Sequence, residues 1–284
     1  MFNWFSGPNK RHLQIILGFS CVCSIATAAE LSHSQNQLAD LTRYFPSDEV
    51  KTVQAGEQSI PVMISEQNGP HPKGSAILLP DIGLQASQSF ADLRLLLNDY
   101  GWITIGSIAP DNGAGVWQLD DEQAKVLTGQ PTLGAEQIKV ADSAAIKDQL
   151  KLIVNALNTE AQNYIGLRLL VAQGATAGWL IESLTAGDIP MPDALVLLSP
   201  YLPEYYLNKK LPAKIAKLDL PILDVWSKHD NRWALATVKN RQQAARKYLT
   251  MHYRQRQLFG LSGLSVRENR LAKEIYAYMT YLGW

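Results

Sequence analysis

The stretch Leu167–Gly178, LRLLVAQGATAG, constrains this chain more than any other. Leu169-Leu170-Val171 is a run of buried-strand residues, and Ala172 reads as its end. The run gives way to Gly174-Ala175-Thr176-Ala177-Gly178, five small residues in succession. That is how a strand passes through a tight turn into a helix. Such a turn serves to hold up one reactive side chain. The question is which residue stands there.

The rest of the chain alternates in the same way. "KTVQAGEQSIPVMISEQ" reads as two strands around an Ala-Gly-Glu turn, and "SAILLP" as a buried strand. "SFADLRLLLNDYG" has leucines on one helical face and a Gly101 stop, and "WITIGSI" is another strand. Ile138–Ala161 carries apolar residues at helical spacing. After the opening stretch come a helix from about Ala177, the strand "DALVLLSP" and the strand "LPILDVWSKHD". A helix, "RWALATVKNRQQAARKY", a last strand, "LTMHYRQRQL", and a closing helix over Val266–Leu282 finish the chain. Leu38–Phe45 is a short amphipathic helix, and Ala109–Ala135 is a long segment spotted with Gly and Pro. The Lys-rich "PYLPEYYLNKKLPAKIAKLDLP" occupies the usual position of a lid and reads as a solvated, partly helical excursion. Strands alternating with helices imply an α/β fold: a mainly parallel central sheet with helices on both faces and an antiparallel N-terminal hairpin.

The first 28 residues read as a secretory signal. Lys10-Arg11-His12 is a positive flank, Leu13–Ile25 an apolar run, and Ala26-Thr27-Ala28 a small-x-small cleavage site. The run is shorter than the ~20 residues of a membrane span, so membrane attachment is expected only if this segment stays uncleaved. Both cysteines, Cys21 and Cys23, lie inside it. Cleavage after Ala28 leaves a periplasmic chain without thiols, carrying 24 basic and 26 acidic side chains and a formal charge of −2. That balance argues against nucleic acid, whose binding rests on phosphate neutralisation. Residues 29–73 form the N-terminal helix and edge hairpin, and residues 74–284 the core.

The segments "ILLPDIG", "LRLLLNDYGWITIGSIAPD", "LLVAQGATAGW", "LPILDVW" and "RQQAARKYLTMHYRQRQLFG" together resemble the exported bacterial domain-of-unknown-function family 3530. The resemblance spans nearly the whole chain after the signal. It implies an α/β-hydrolase-like fold and supplies no reaction.

A hydrolase elbow reads Gly-x-Ser-x-Gly. Two alignments are open: Ala172–Thr176, with Gly174 at the nucleophile position, and Gly174–Gly178, with Thr176 there. The strand core, ending at Ala172, favours the first; Thr176 then reads as a cap at the start of the helix. Asp230, after a later strand, is placed as the acid. The base should follow the last strand, yet no histidine follows His252, which lies near that strand's beginning, ~20 Å from the site edge. His71 precedes its strand, so only His229 is on the correct side, next to Asp230. A serine-type hydrolase needs nucleophile and base in hydrogen-bond reach, and this pair is missing.

What stands at the carboxyl ends of the strands instead is Asp81-Ile82-Gly83, Asp111, Gly174-Ala175, Tyr201 and His229-Asp230. "PDIG" takes the place of the loop that gives hydrolases one oxyanion N–H. Asp81, Ile82, Gly83, Gly174, Ala175 and Tyr201 are therefore the candidate binding residues. Asp81 and Asp111 follow prolines, as turn residues do, and no ligand spacing supports a metal. No cofactor is expected. The reading favoured is an exported protein with a degenerate triad that binds a small molecule or an envelope component. The alternative is an esterase-like hydrolase with Thr176 as nucleophile, or an Asp81/Asp230 pair activating water; the catalytic candidates are then Thr176, Asp230, His229 and Asp81.

Overall fold

The computed structural model describes residues 42–43, 49–56, 58–82, 90–107, 143–259 and 264–284. The signal segment, most of the helix expected over Leu38–Phe45, the segment Ala109–Ala135, Asp111 and Gly83 lie outside them.

Eight strands form one sheet: β1 (Val50–Ala55), β2 (Gln58–Ser65), β3 (Gly74–Leu79), β4 (Trp102–Ser107), β5 (Leu167–Gln173), β6 (Ala194–Leu198), β7 (Ile222–Ser227) and β8 (Tyr253–Leu258). Their order is β1-β2-β4-β3-β5-β6-β7-β8. The β1–β2 and β2–β4 pairs are antiparallel, and every pair from β4 to β8 is parallel. The hairpin expected at the N-terminus is thus the edge of the same sheet.

Side chains alternate across each strand, and the central strands are buried on both faces. Ile77, Leu79, Leu170, Ala172, Leu195 and Leu197 enter one core with α2 (Ser143–Ala161), α3 (Gly174–Ala186) and α4 (Tyr205–Ala216). Ala76, Leu78, Leu169, Val171 and Val196 enter the other with α1 (Ala91–Asp99) and α6 (Leu264–Tyr281). A fully buried parallel strand must be apolar at every position, which is why these runs read so clearly. α5 (Arg232–Lys247) packs beside α4.

The Lys-rich stretch is not an excursion. α4 buries Asn208, Leu211, Pro212 and Ile215 at helical spacing and turns its lysines outward. The helix expected from about Ala177 begins three residues earlier, at Gly174 itself. α1 has no side-chain cap of its own; the Leu93 N–H at its start donates to the Glu268 carboxylate of α6 at 2.6 Å. Among the described residues no helix is long and apolar enough to cross a membrane.

Candidate functional site

In a parallel sheet all strands end at one edge, so Asp81 after β3, Gly174 after β5, Tyr201 after β6 and Asp230 after β7 share the carboxyl edge. Gly174 is the first residue of α3 and has φ 60, the left-handed conformation of a sharp strand-to-helix turn. A side chain on it has no room: a Cβ there would lie 2.0 Å from Asp81 Oδ2. The space that a nucleophile would take is filled by a carboxylate from another strand.

The same carboxylate takes two further groups. Its Oδ1 accepts the Ala175 N–H at 2.7 Å and the Ile82 N–H at 2.9 Å. In hydrolases of this architecture the oxyanion hole is built from the N–H after the nucleophile and one from the β3 loop. Those are the positions of Ala175 and Ile82. Asp81 Oδ1 therefore takes both of these N–H groups. The Thr176 N–H and the Tyr201 hydroxyl favour the charged form of the carboxylate.

Burial raises the Asp81 pKa to about 6, and the N–H bonds pull against that rise without cancelling it. The N-terminal dipole of α3 helps hold the charged form. Burial, and then the Asp81 charge, push the Tyr201 phenol above its ordinary range. The Asn231 side chain bonds that phenol and caps α5 through the Trp233 and Ala234 N–H groups at 2.8 and 3.1 Å. Tyr201 N donates to Gly174 O at 3.2 Å. Gly178 lets the two segments meet, since a Cβ on it would lie 2.1 Å from Tyr201 O.

Thr176 is fully buried, and its Oγ1 has no partner among the described residues. It is neither the cap expected of it nor open to a substrate; because α3 starts at Gly174, it falls in the interior of the first turn. Asp230 is occupied in joining strand ends. Its Oδ2 accepts the Ser199 hydroxyl and the Ser227 N–H, the latter at 2.6 Å. Ser199 adopts φ 52 to make this contact. His229 is exposed, and among the described residues nothing pairs with its imidazole. Asp81 and Asp230 do not touch; between them run Tyr201 and Asn231. His252 lies at the opposite edge, just before β8, against Tyr281. Among the described residues no three His, Cys, Asp or Glu side chains are grouped to hold a metal.

Sequence reasoning missed Asn231 and Ser199. The first had a signal, an Asn directly before an amphipathic run, which is the mark of a helix cap.

The family model described as "Protein of unknown function (DUF3530)" matches residues 22–280. The sequence matches no curated protein. Among solved structures, an esterase domain from Rhodothermus marinus superposes with a TM-score of 0.54 at 11% identity, covering 81% of this chain and 96% of that one. A dienelactone hydrolase from Anabaena variabilis gives 0.51 at 14%, covering 82% and 96%. Est1E from Butyrivibrio proteoclasticus gives 0.53 at 10%, covering 82% and 99%. At these identities the likeness is one of fold, and the fold is that of the α/β-hydrolases.

Proposed function

The chain belongs to the DUF3530 family, and we propose that this member is an exported α/β-hydrolase-fold protein that works by binding rather than by hydrolysis. The observation that carries this reading is Asp81: its carboxylate fills both the side-chain space over Gly174 and the N–H pair of Ile82 and Ala175. A hydrolase needs the first for its nucleophile and the second for its transition state. The sequence after β8 adds no histidine to serve as base. The protein's ligand, a small molecule or an envelope component, is placed at the carboxyl edge beside Asp81, whose carboxylate covers Ile82 and Ala175. The signal-like N-terminus supports a periplasmic setting.

A second reading has one observation in its favour. A buried carboxyl with a pKa of about 6 is suited to general-base work near neutral pH, so Asp81 is the residue through which an unorthodox hydrolase would act on water.

Purified protein assayed with activated esters and a fluorophosphonate probe separates the two. On the binding reading the probe does not label, ester turnover stays near background, and Thr176→Ala, His229→Ala and Asp81→Asn leave it unchanged. An intact constellation would exceed the about 10³–10⁴-fold that binding and an oxyanion hole alone supply. Rapid hydrolysis lost in Asp81→Asn, with a pH midpoint near 6, would establish the second reading in place of the first. Protein for the assay, taken from an envelope fraction and sequenced from its N-terminus, should begin after Ala28.

A further inference from the structure

The edge opposite the candidate site carries a feature that the fold does not explain. α5 ends in a Schellman motif, with Thr250 N donating to Ala245 O at 3.0 Å and Leu249 N to Arg246 O at 3.3 Å. The left-handed position of that motif, φ 53, is held by Leu249. Glycine is the residue that adopts this conformation without strain, so a leucine there must be offset by something its side chain does. Among the described residues its side chain is turned to water: Leu249 is 83% exposed and Met251, two residues on, 73%.

Nor is the exposure a matter of a loose loop. Thr250 Oγ1 donates to Ala216 O at 2.6 Å, and the Tyr278 hydroxyl to His252 O at 2.5 Å. The loop is braced on α4 and on α6 while its two apolar side chains point to water.

Around this tip lie half-exposed tyrosines carrying cations. The Lys217 and Lys247 ammonium groups stand 5.4 and 5.7 Å from the Tyr248 ring centre, and the Arg254 guanidinium 4.2 Å from that of Tyr281. Arg246 is exposed beside them, with Asp219 as the acid of the adjoining segment. An apolar tip, a girdle of tyrosines and an excess of cations is the layering of a lipid interface: acyl chains, then the polar boundary, then phosphates.

We propose that this edge docks on an anionic lipid surface, with Leu249 and Met251 entering the acyl boundary and Lys217, Arg246, Lys247 and Arg254 meeting headgroup phosphates. The site around Asp81 then faces away from the bilayer, about 20 Å off, the length of a six-residue strand. This inference stands whether that site binds or hydrolyses.

The test is flotation of the full chain with phosphatidylglycerol-containing vesicles and with pure phosphatidylcholine vesicles, alongside hydrogen exchange of the loop. Wild-type protein should bind the anionic vesicles at low salt, and binding should fall with salt. Residues 248–254 should gain protection from exchange, a readout that the apolar N-terminal segment cannot supply. Leu249→Gly with Met251→Ser should weaken binding about tenfold or more while the protein melts no lower than wild type. Lys217→Glu with Lys247→Glu should abolish the preference for anionic vesicles. Unchanged exchange at 248–254 in the presence of anionic vesicles, equal binding by the Leu249→Gly/Met251→Ser variant, or no headgroup preference would each overturn the proposal. So would a dimer in solution that the loop variant dissolves without any binding to vesicles.

Discussion

Asp224 and Asp81 are both carboxylates drawn out of water, one in the middle of β7 and one just past the end of β3, and their surroundings differ in kind. Asp224 has no exposed side-chain surface, and neither has its partner Arg241, whose Nε meets Oδ2 at 2.7 Å. The Tyr253 hydroxyl and Gln255 Nε2 join the same oxygen at 2.5 and 2.9 Å. Arg241 in turn donates to Thr237 Oγ1 and to the Ala234 carbonyl at 2.5 and 3.2 Å. Asp81 has no cation among its described partners; it is held by backbone N–H groups and one phenol. At Asp224 a full opposing charge offsets burial, whereas at Asp81 the backbone dipoles offset only part of it. The first arrangement ties α5 to β7 and β8. The second leaves a buried carboxyl with no opposing cation among its described partners at a strand end.

The contrast can be broken most severely at Arg241. Arg241→Met leaves Asp224 unpaired in the core and should cost about 3–5 kcal/mol in urea unfolding, with Asp224→Asn in the same chain restoring part of it. A loss below ~1 kcal/mol would mean that the pair does not hold the fold together.

Next in size is Gly174→Ala. The new methyl meets Asp81 at contact far inside van der Waals distance and must adopt a positive φ, so a loss of about 3 kcal/mol is expected. Adding Asp81→Ala should return all but the ~1 kcal/mol of backbone strain. If the double variant is no more stable than Gly174→Ala alone, the carboxylate is not what fills that space.

The third effect reads the burial of Asp81 through pH. Asp81 titrates at about 6 in the folded chain against an ordinary value of 3.8. The folded state therefore binds more protons than the unfolded one between those values, and this group's contribution to stability falls as pH rises from ~4 to ~6. Asp81→Asn removes that loss. It should match wild type at pH 3.5 and exceed it by about 3 kcal/mol at pH 7. Equal stability at both pH values would place the Asp81 charge in water.

The central strands were legible because burial on both faces forces apolar runs such as those of β3, β5 and β6. The packing of α4 was not, since Lys209, Lys210 and Lys214 mask a buried Asn208-Leu211-Pro212-Ile215 face, and Pro212 reads as a breaker. Gly174 could be placed by counting from the end of β5. What could not be read was that the missing side chain at Gly174 is matched by an extra one at Asp81, because 94 residues separate Asp81 from the Ala175 N–H it accepts. Thr176 was misread by a boundary: a helix beginning at Gly174 rather than near Ala177 turns a cap into a core residue.

The capping of α1 by Glu268 spans 175 residues of chain. A ribosome delivers the two partners at about 5–20 residues per second, so the start of α1 waits on the order of ten seconds or more for the carboxylate that completes it. Leu93, Leu97 and Trp102 wait equally long for Leu271, Ile275 and Met279 of α6, their partners in the second core. The nascent chain thus has no finished N-terminal half to lock early. It stays threadable until almost its last residues are made, and a chain cut short before Glu268 would present that unfinished layer to proteases and chaperones.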